Sequence, residues 1–225
     1  ALALCEQLAA SGQEVHLVTR HRDEAIVKLA SDHHCKHVHE CDLEDAKKSI
    51  ALALEIDNKV DGLDAVAFVH RYRTATSNPV KQYEVEVYTP YEIIESLASQ
   101  SRAKQCAVVL TTSPAARNIV GDQDFQYHAS KAALSQLVRF GAVRFASKNL
   151  RVNGVSPGSF VFKQRAADFY AKNPDVVARA NRLIPLARMG TVNEIASVAS
   201  FLLSDKSSYM NGQILEVDGG LSNFD

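Results

Sequence analysis

Cys106-Ala107-Val108-Val109-Leu110-Thr111-Thr112-Ser113 is a short, unbroken apolar run that ends in hydroxyls. A run of this length reads as a strand buried on both faces, the pattern of a parallel sheet. In open α/β sheets, ligands bind at the carboxyl ends of the strands, which is where this reading puts Ser113. Fourteen residues further on, Tyr127-His128-Ala129-Ser130-Lys131 opens a segment to about Lys148, with Leu134, Leu137, Val138 and Val143 at helical spacing. Strand, loop and amphipathic helix together predict one βα step of a doubly wound α/β fold.

Residues four apart share a helix face, so Tyr127 and Lys131 point together. A phenol has an unperturbed pKa of ~10, too high for proton transfer near neutrality. An ammonium beside it favours the phenolate. Bringing the phenol near 7 takes about three units, or roughly 4 kcal/mol of differential stabilisation. Such a tyrosine could give a proton to a carbonyl oxygen or take one from an alcohol. A serine at the strand end, Ser113, could donate a hydrogen bond to the same oxygen as charge develops on it. His128 points off the Tyr127–Lys131 face and reads as a neighbour.

The rest of the chain repeats the alternation. Strands are expected at Val15–Thr19, Val38–Cys41, Leu63–Val69 and Ala107–Thr111, with helices near Asp23–Ala30, Glu44–Ile56 and Val85–Ser99. Pro90 is expected to distort the last of these. A further strand, Leu150 to Gly158, is stopped by Pro157-Gly158. Thr191-Val192-Asn193-Glu194 has the form of a capping box and opens a helix with Ile195, Val198, Ala199 and Leu202 on one face. Asn211 to Gly220 reads as a last strand and its turn.

Composition agrees with one globular domain over 1–225: the residues are 46% hydrophobic, enough for one sizeable core. A net charge of −1 implies no general affinity for nucleic acid. No run approaches the apolar length of a membrane span, and no secretory signal is expected. Cys5, Cys35, Cys41 and Cys106 lack the spacing of a disulfide framework; a cytoplasmic location, which would keep them reduced, is expected.

On Ser113, Tyr127 with Lys131, Arg151-Val152-Asn153, Pro157-Gly158 and the run from Arg188-Met189-Gly190 to Asp218-Gly219-Gly220, the chain resembles the short-chain dehydrogenase/reductases, in particular the branch that includes the 3-oxoacyl-carrier-protein reductases. The resemblance is strong from Val108 to Gly220. It implies a single Rossmann-type domain that passes a hydride between a nicotinamide and a carbonyl or alcohol carbon. It also implies Tyr127 as acid/base and Lys131 as its partner and holder of the nicotinamide ribose. Ser113 would orient the substrate, Pro157 and Gly158 would border the nicotinamide, and Asp42-Leu43 would contact adenine. A homodimer or homotetramer is implied as well.

Three departures from the family pattern stand out. The chain opens on what reads as the helix behind the glycine-rich phosphate turn, so the first strand and that turn are expected among residues that were cleaved or disordered. At the end of the Val15–Thr19 strand stands Arg20 rather than an acid, which favours a 2′-phosphate and hence NADP(H), with NAD(H) the alternative. Phe68-Val69-His70-Arg71 occupies the place of Asn-Asn-Ala-Gly, and Glu86 that of an Asn which helps hold a proton-relay water. Glu86 could accept from such a water, the role expected of it, or could pair with Lys131 and weaken its effect on Tyr127.

The segment 159–183, with Phe160, Phe162, Phe169 and Tyr170, is expected to form a lid whose aromatics suit an apolar or acyl substrate; Lys163 and Arg165 could face an acidic carrier protein. The substrate expected is a ketone or a 3-oxoacyl thioester, small or carrier-linked. The alternatives are a dehydrogenase of a small alcohol or sugar, a non-catalytic dinucleotide-sensing or partner-binding protein, and a subunit that stabilises an active homologue. His33, His34, Cys35, His37, His39 and Cys41 offer metal-binding groups, but their spacing fits no standard site and no metal is expected.

Overall fold

The computed structural model describes residues 1–72, 78–101, 103–121, 123–159, 161–163 and 166–223. Strands β1 (His16–Thr19), β2 (His37–Glu40), β3 (Ala65–Phe68), β4 (Cys106–Thr111) and β5 (Leu150–Pro157) alternate with helices α1 (Leu2–Ala10), α2 (Glu24–Asp32), α3 (Ala46–Lys59), the pair α4 (Pro79–Tyr83) and α5 (Thr89–Ser99), and α6 (Phe125–Arg144). After β5 come β6 (Val161–Phe162), α7 (Ala167–Lys172), α8 (Pro174–Leu183), β7 (Gly190–Thr191), α9 (Val192–Leu203) and β8 (Ile214–Val217).

Every strand pairing is parallel. The order β3-β4-β5-β8 forms the main sheet, β1 pairs with β2, and β6 with β7. Among the described residues β1 and β3 share no ladder, so the Rossmann-type sheet stands in two blocks.

The apolar run that begins at Cys106 behaves as its composition demands. Val108 and Leu110 face Ile94 and Leu97 of α5 and Leu134 and Val138 of α6. Ala107 and Val109 face the other way, toward Leu4 of α1 and Ala199 and Leu202 of α9. Successive side chains of one strand thus feed two cores, one per sheet face. Ile94, Leu97, Leu110 and Leu202 are fully buried, each worth about 1.5–3 kcal/mol relative to exposure. A third cluster of Cys5, Ala30 and Cys35 fastens β1 and β2 to the helices around them. All four cysteines are buried and none is in a disulfide. Burial, then Cys35 beside it, pushes the Cys5 thiol up to about 11.

Pro90 acts one turn upstream of itself. It lacks the N–H that would bond the Glu86 carbonyl, and its ring crowds that carbonyl. The chain widens into a π-helical stretch over Glu84–Tyr88, closed by the Thr89 N–H on Glu84 O. Helix therefore runs from Pro79 to Ser99 with a bulge inside it, and π-bulges frequently lie at functional sites. The bulge turns Glu86 into the protein, where it is almost fully buried.

The stretch from residue 159 to 183 is largely helical. Phe162 and Tyr170 pack at a tilt with centroids 5.1 Å apart, and Phe169 meets Tyr170 edge-on. Phe160 and Arg165 lie outside the described residues. No helix among the described residues is long and apolar enough to cross a membrane.

Candidate active site

Asp124 caps α6, accepting the Tyr127 N–H at 2.9 Å, and so fixes the first turn that carries the tyrosine. His128 accepts the Val120 N–H through Nε2 and donates from Nδ1 to Asp124 O, pinning the incoming loop. It is the neighbour its position suggested.

One turn along, Lys131 is buried and donates to Thr111 O, the last carbonyl of β4, at 3.3 Å. Its Nζ lies 5.6 Å from the Tyr127 ring centroid. That bond ties the helix to the strand end two residues before Ser113. Ser113 Oγ accepts the Ala115 N–H at 3.2 Å and caps a short 3-10 turn, which leaves the hydroxyl proton available to a substrate oxygen. Thus α6 and the end of β4 bring the three side chains to one end of the sheet.

Glu86 is the fourth member. Its Oε2 is 3.0 Å from Lys131 Nζ, and its Oε1 accepts the Tyr72 N–H at 3.0 Å. Oε2 receives no aligned hydrogen bond among the described residues, so the contact with Lys131 is one of charge more than of geometry. Glu86 thus pairs directly with the lysine, the alternative weighed beside its water-holding role. The cause is the bulge before Pro90, which aims the carboxylate into the space between α6 and β4.

Arg71, from the run that replaces Asn-Asn-Ala-Gly, reaches the tyrosine as well. Its guanidinium carbon stands 4.2 Å from the Tyr127 ring centroid, a cation–π distance, and it also donates to Gln123 Oε1. His70 donates from Nε2 to Val85 O at 2.8 Å. Burial is the chief reason its pKa is lowered, with Lys131 adding to the effect. No sequence pattern pairs positions 71 and 127; only the loop that replaces Asn-Asn-Ala-Gly signalled a change.

At the outer strand ends, Arg20 Nε is 3.1 Å from Asp42 Oδ2, and its Nη2 is 3.1 Å from Glu44 Oε1. The structure joins Arg20 and Asp42, read separately in the sequence, into one cluster with Glu44. Leu43 packs against the main core and accepts the Thr89 hydroxyl through its carbonyl. Pro157 pairs with Val217, and the Gly158 N–H bonds Val217 O at 3.0 Å. A Cβ on Gly158 would stand 2.7 Å from Asp218 Cβ, so glycine is needed for that approach. Hydrogen bonds from Ser222 and Gly220 hold the Asp218 carboxyl below its usual range, outweighing the opposing effect of burial.

Arg151 and Asn153 serve the frame. Buried Arg151 donates to the carbonyls of Leu202, Ser204 and Met210, and Asn153 donates to Met210 O while accepting the Gln213 N–H. A cavity of about 590 Å³ opens between Arg117, Arg188, Glu216 and Asp218. Ser113, Tyr127 and Lys131 do not line it, although Arg117, four residues past Ser113, pairs with Glu216 across it.

A doubly wound parallel sheet with a serine, a tyrosine and a lysine at its carboxyl end defines a Rossmann-type oxidoreductase fold. The family profile described as enoyl-(acyl carrier protein) reductase matches residues 1–222. The chain belongs to the short-chain dehydrogenase/reductase family. It is 33% identical over 147 residues to Protein FixR of Bradyrhizobium diazoefficiens, covering 65% of this chain and 50% of that one. It is 31% identical over 140 residues to the 7alpha-hydroxysteroid dehydrogenase of Escherichia coli K12, covering 62% and 54%. The chain thus spans about half the length of these relatives. Among solved structures, the Pseudomonas aeruginosa RhlG/NADP active-site complex superposes with a TM-score of 0.83 at 25% identity, covering 98% of this chain and 90% of that one.

Proposed function

We propose that this chain carries the reaction centre of an NADP(H)-dependent reductase of a carbonyl, either a ketone or a 3-oxoacyl thioester. The observation that carries the reading is the Lys131–Thr111 bond, which ties the Tyr127 helix to the end of β4 immediately before Ser113. A bound nicotinamide supplies the hydride. Tyr127 gives its phenolic proton to the substrate oxygen, and Ser113 donates a hydrogen bond to the same oxygen. Lys131 supplies positive charge beside Tyr127 and holds the nicotinamide ribose; Pro157 and Gly158 border the nicotinamide.

The residues present fit such a cofactor at both ends. Thr111 Oγ1 and Ser156 Oγ, buried near the ends of β4 and β5, have no partner among the described residues and suit a polar ligand there. At the other end Arg20 suits a 2′-phosphate, with Asp42 and Leu43 beside the adenine. NAD(H) is the alternative cofactor. The RhlG structure, solved with NADP, supports the class of cofactor. We further propose a cytoplasmic protein that works as a homodimer or homotetramer and does not bind nucleic acid.

Two observations favour a second reading. Glu86 offsets the charge of Lys131, and Arg71 covers the Tyr127 ring. Both suit a dinucleotide-sensing member with little turnover. Following oxidation of NADPH across a panel of ketones and 3-oxoacyl thioesters, beside calorimetric NADPH binding, separates the two. Turnover supports the reductase. Binding without turnover on any carbonyl supports the sensor and sinks the reductase.

A further inference from the structure

Glu14, His16 and His37 meet at the amino ends of β1 and β2, the ends opposite Arg20 and Asp42. His16 and His37 are register partners on the two parallel strands, so their side chains share one face. Their rings stack with centroids 4.5 Å apart and 12° between planes. Both direct Nε2 at one carboxylate oxygen: Glu14 Oε1 is 3.1 Å from His16 Nε2 and 3.2 Å from His37 Nε2. One donor atom from each of the three side chains lies within 4.8 Å of the other two.

The two edges that meet at Glu14 Oε1 approach those of a metal coordination face, which the nearly parallel rings complete by turning until both Nε2 lone pairs reach one ion. With bonds of about 2.0–2.2 Å, a tetrahedral zinc ion holds its ligand atoms about 3.3–3.6 Å apart. The two edges to Glu14 Oε1 are within a few tenths of an ångström of that. Two imidazoles and a carboxylate are a donor set that zinc favours. The Glu14 side chain is 62% exposed and that of His37 is 37% exposed, so an ion can enter from solvent and keep a water as its fourth ligand.

Support from behind is present as well. His16 Nδ1 is 3.0 Å from His39 Nε2. A histidine that binds metal through Nε2 carries its proton on Nδ1, and a partner for that proton fixes the ring.

We propose that Glu14, His16 and His37 form a zinc-class divalent cation site, with His39 orienting His16, that clamps β1 to β2 at the end away from the reaction. The histidines of the 33–41 segment could not reveal it by their own spacing, because Glu14 and His16 come from the neighbouring strand β1 and the loop that leads into it.

Zinc titration of the chelator-treated protein by calorimetry tests the site, with cobalt as a spectroscopic substitute. We expect one site with a Kd of about 1 μM or tighter and a cobalt absorption of tetrahedral type. His37→Gln and Glu14→Gln change solvent-accessible side chains, and circular dichroism checks that they fold. We expect a loss of affinity of at least about 100-fold in the first and about 10-fold in the second. His39→Phe should weaken binding about 10- to 100-fold, the range for lost outer support. Saturable binding that both ligand variants leave intact would overturn the proposal, since the ion would then sit on other histidines. Absence of saturable binding in the unaltered protein would overturn it equally.

Discussion

Glu86 Oε2 and Lys131 Nζ stand 3.0 Å apart, and neither side chain is more than 3% exposed. A lysine placed to favour a phenolate therefore spends part of its field on a nearer carboxylate. In a dry site that competition is not screened. The protein should turn over slowly. Glu86→Asn should raise turnover about tenfold. It should also cost stability, about 3 kcal/mol, because a buried lysine loses its counter-charge. Turnover rates and denaturant melts of the two proteins check both halves. A large loss of activity in a folded Glu86→Asn would mean that Glu86 has another role.

Arg20 already bonds Asp42 and Glu44, so a 2′-phosphate must compete with two carboxylates for it. NADPH should still bind more tightly than NADH, by about tenfold, the scale of one charge-assisted bond. Arg20→Ala should erase that difference. Glu44→Gln should tighten NADPH and leave NADH nearly unchanged. Calorimetric titration of each cofactor decides it; equal affinities in the unaltered protein would remove the argument.

Much of this could be read from residue order. The alternation of apolar runs with helical periods gave the parallel α/β fold, and Val108 against Val109 shows why: one strand serves two cores. The spacing of Tyr127 and Lys131 needed only one helical turn. What escaped was set by tertiary approach. The Arg71–Tyr127 contact joins residues 56 positions apart in the chain, across a loop with no regular pattern. Pro90 announced a distortion, but the direction in which the bulge would turn Glu86 depends on the packing of α6 beside it. Gly141 and Ala142 of α6 are buried within the chain, where a Cβ on Gly141 would come 3.1 Å from Val152.

Glu194 closes the capping box of α9 and receives a two-pronged contact from Arg188. These bonds, Arg188 first and the Thr191 N–H next, lower its pKa from 4.5 to about 2. The folded value lies below the unfolded one. Its contribution is therefore complete above about pH 4.5 and is lost as pH falls toward 2. Glu194→Gln should lower stability at pH 7 by about 1 kcal/mol, the worth of a cap, kept small by exposure. The gap between the two proteins should narrow as the solution is acidified through that window. A gap independent of pH would show that the charge contributes nothing.

Phe125, Phe140 and Val143 leave apolar side chains on the outer face of α6, and Tyr88 does so on the neighbouring bulge. Exposed apolar side chains of this kind are what a second copy would cover with a two-fold contact. Light scattering should give a dimer or tetramer at micromolar concentration, and Phe140→Glu with Val143→Glu should drive it toward monomer. A monomeric unaltered protein would contradict the assembly.

Tyr127→Phe removes one oxygen from the site and no charge from its surroundings. If the phenol delivers the proton, NADPH-dependent carbonyl reduction should fall by at least about 100-fold, the lower end for general acid catalysis. NADPH affinity should stay within about threefold, a difference of under 1 kcal/mol. Single-turnover reduction of a 3-oxoacyl thioester, measured beside calorimetric NADPH binding, gives both numbers on one preparation. A folded Tyr127→Phe protein that binds NADPH and keeps most of its turnover would contradict the assignment of Tyr127 as the acid.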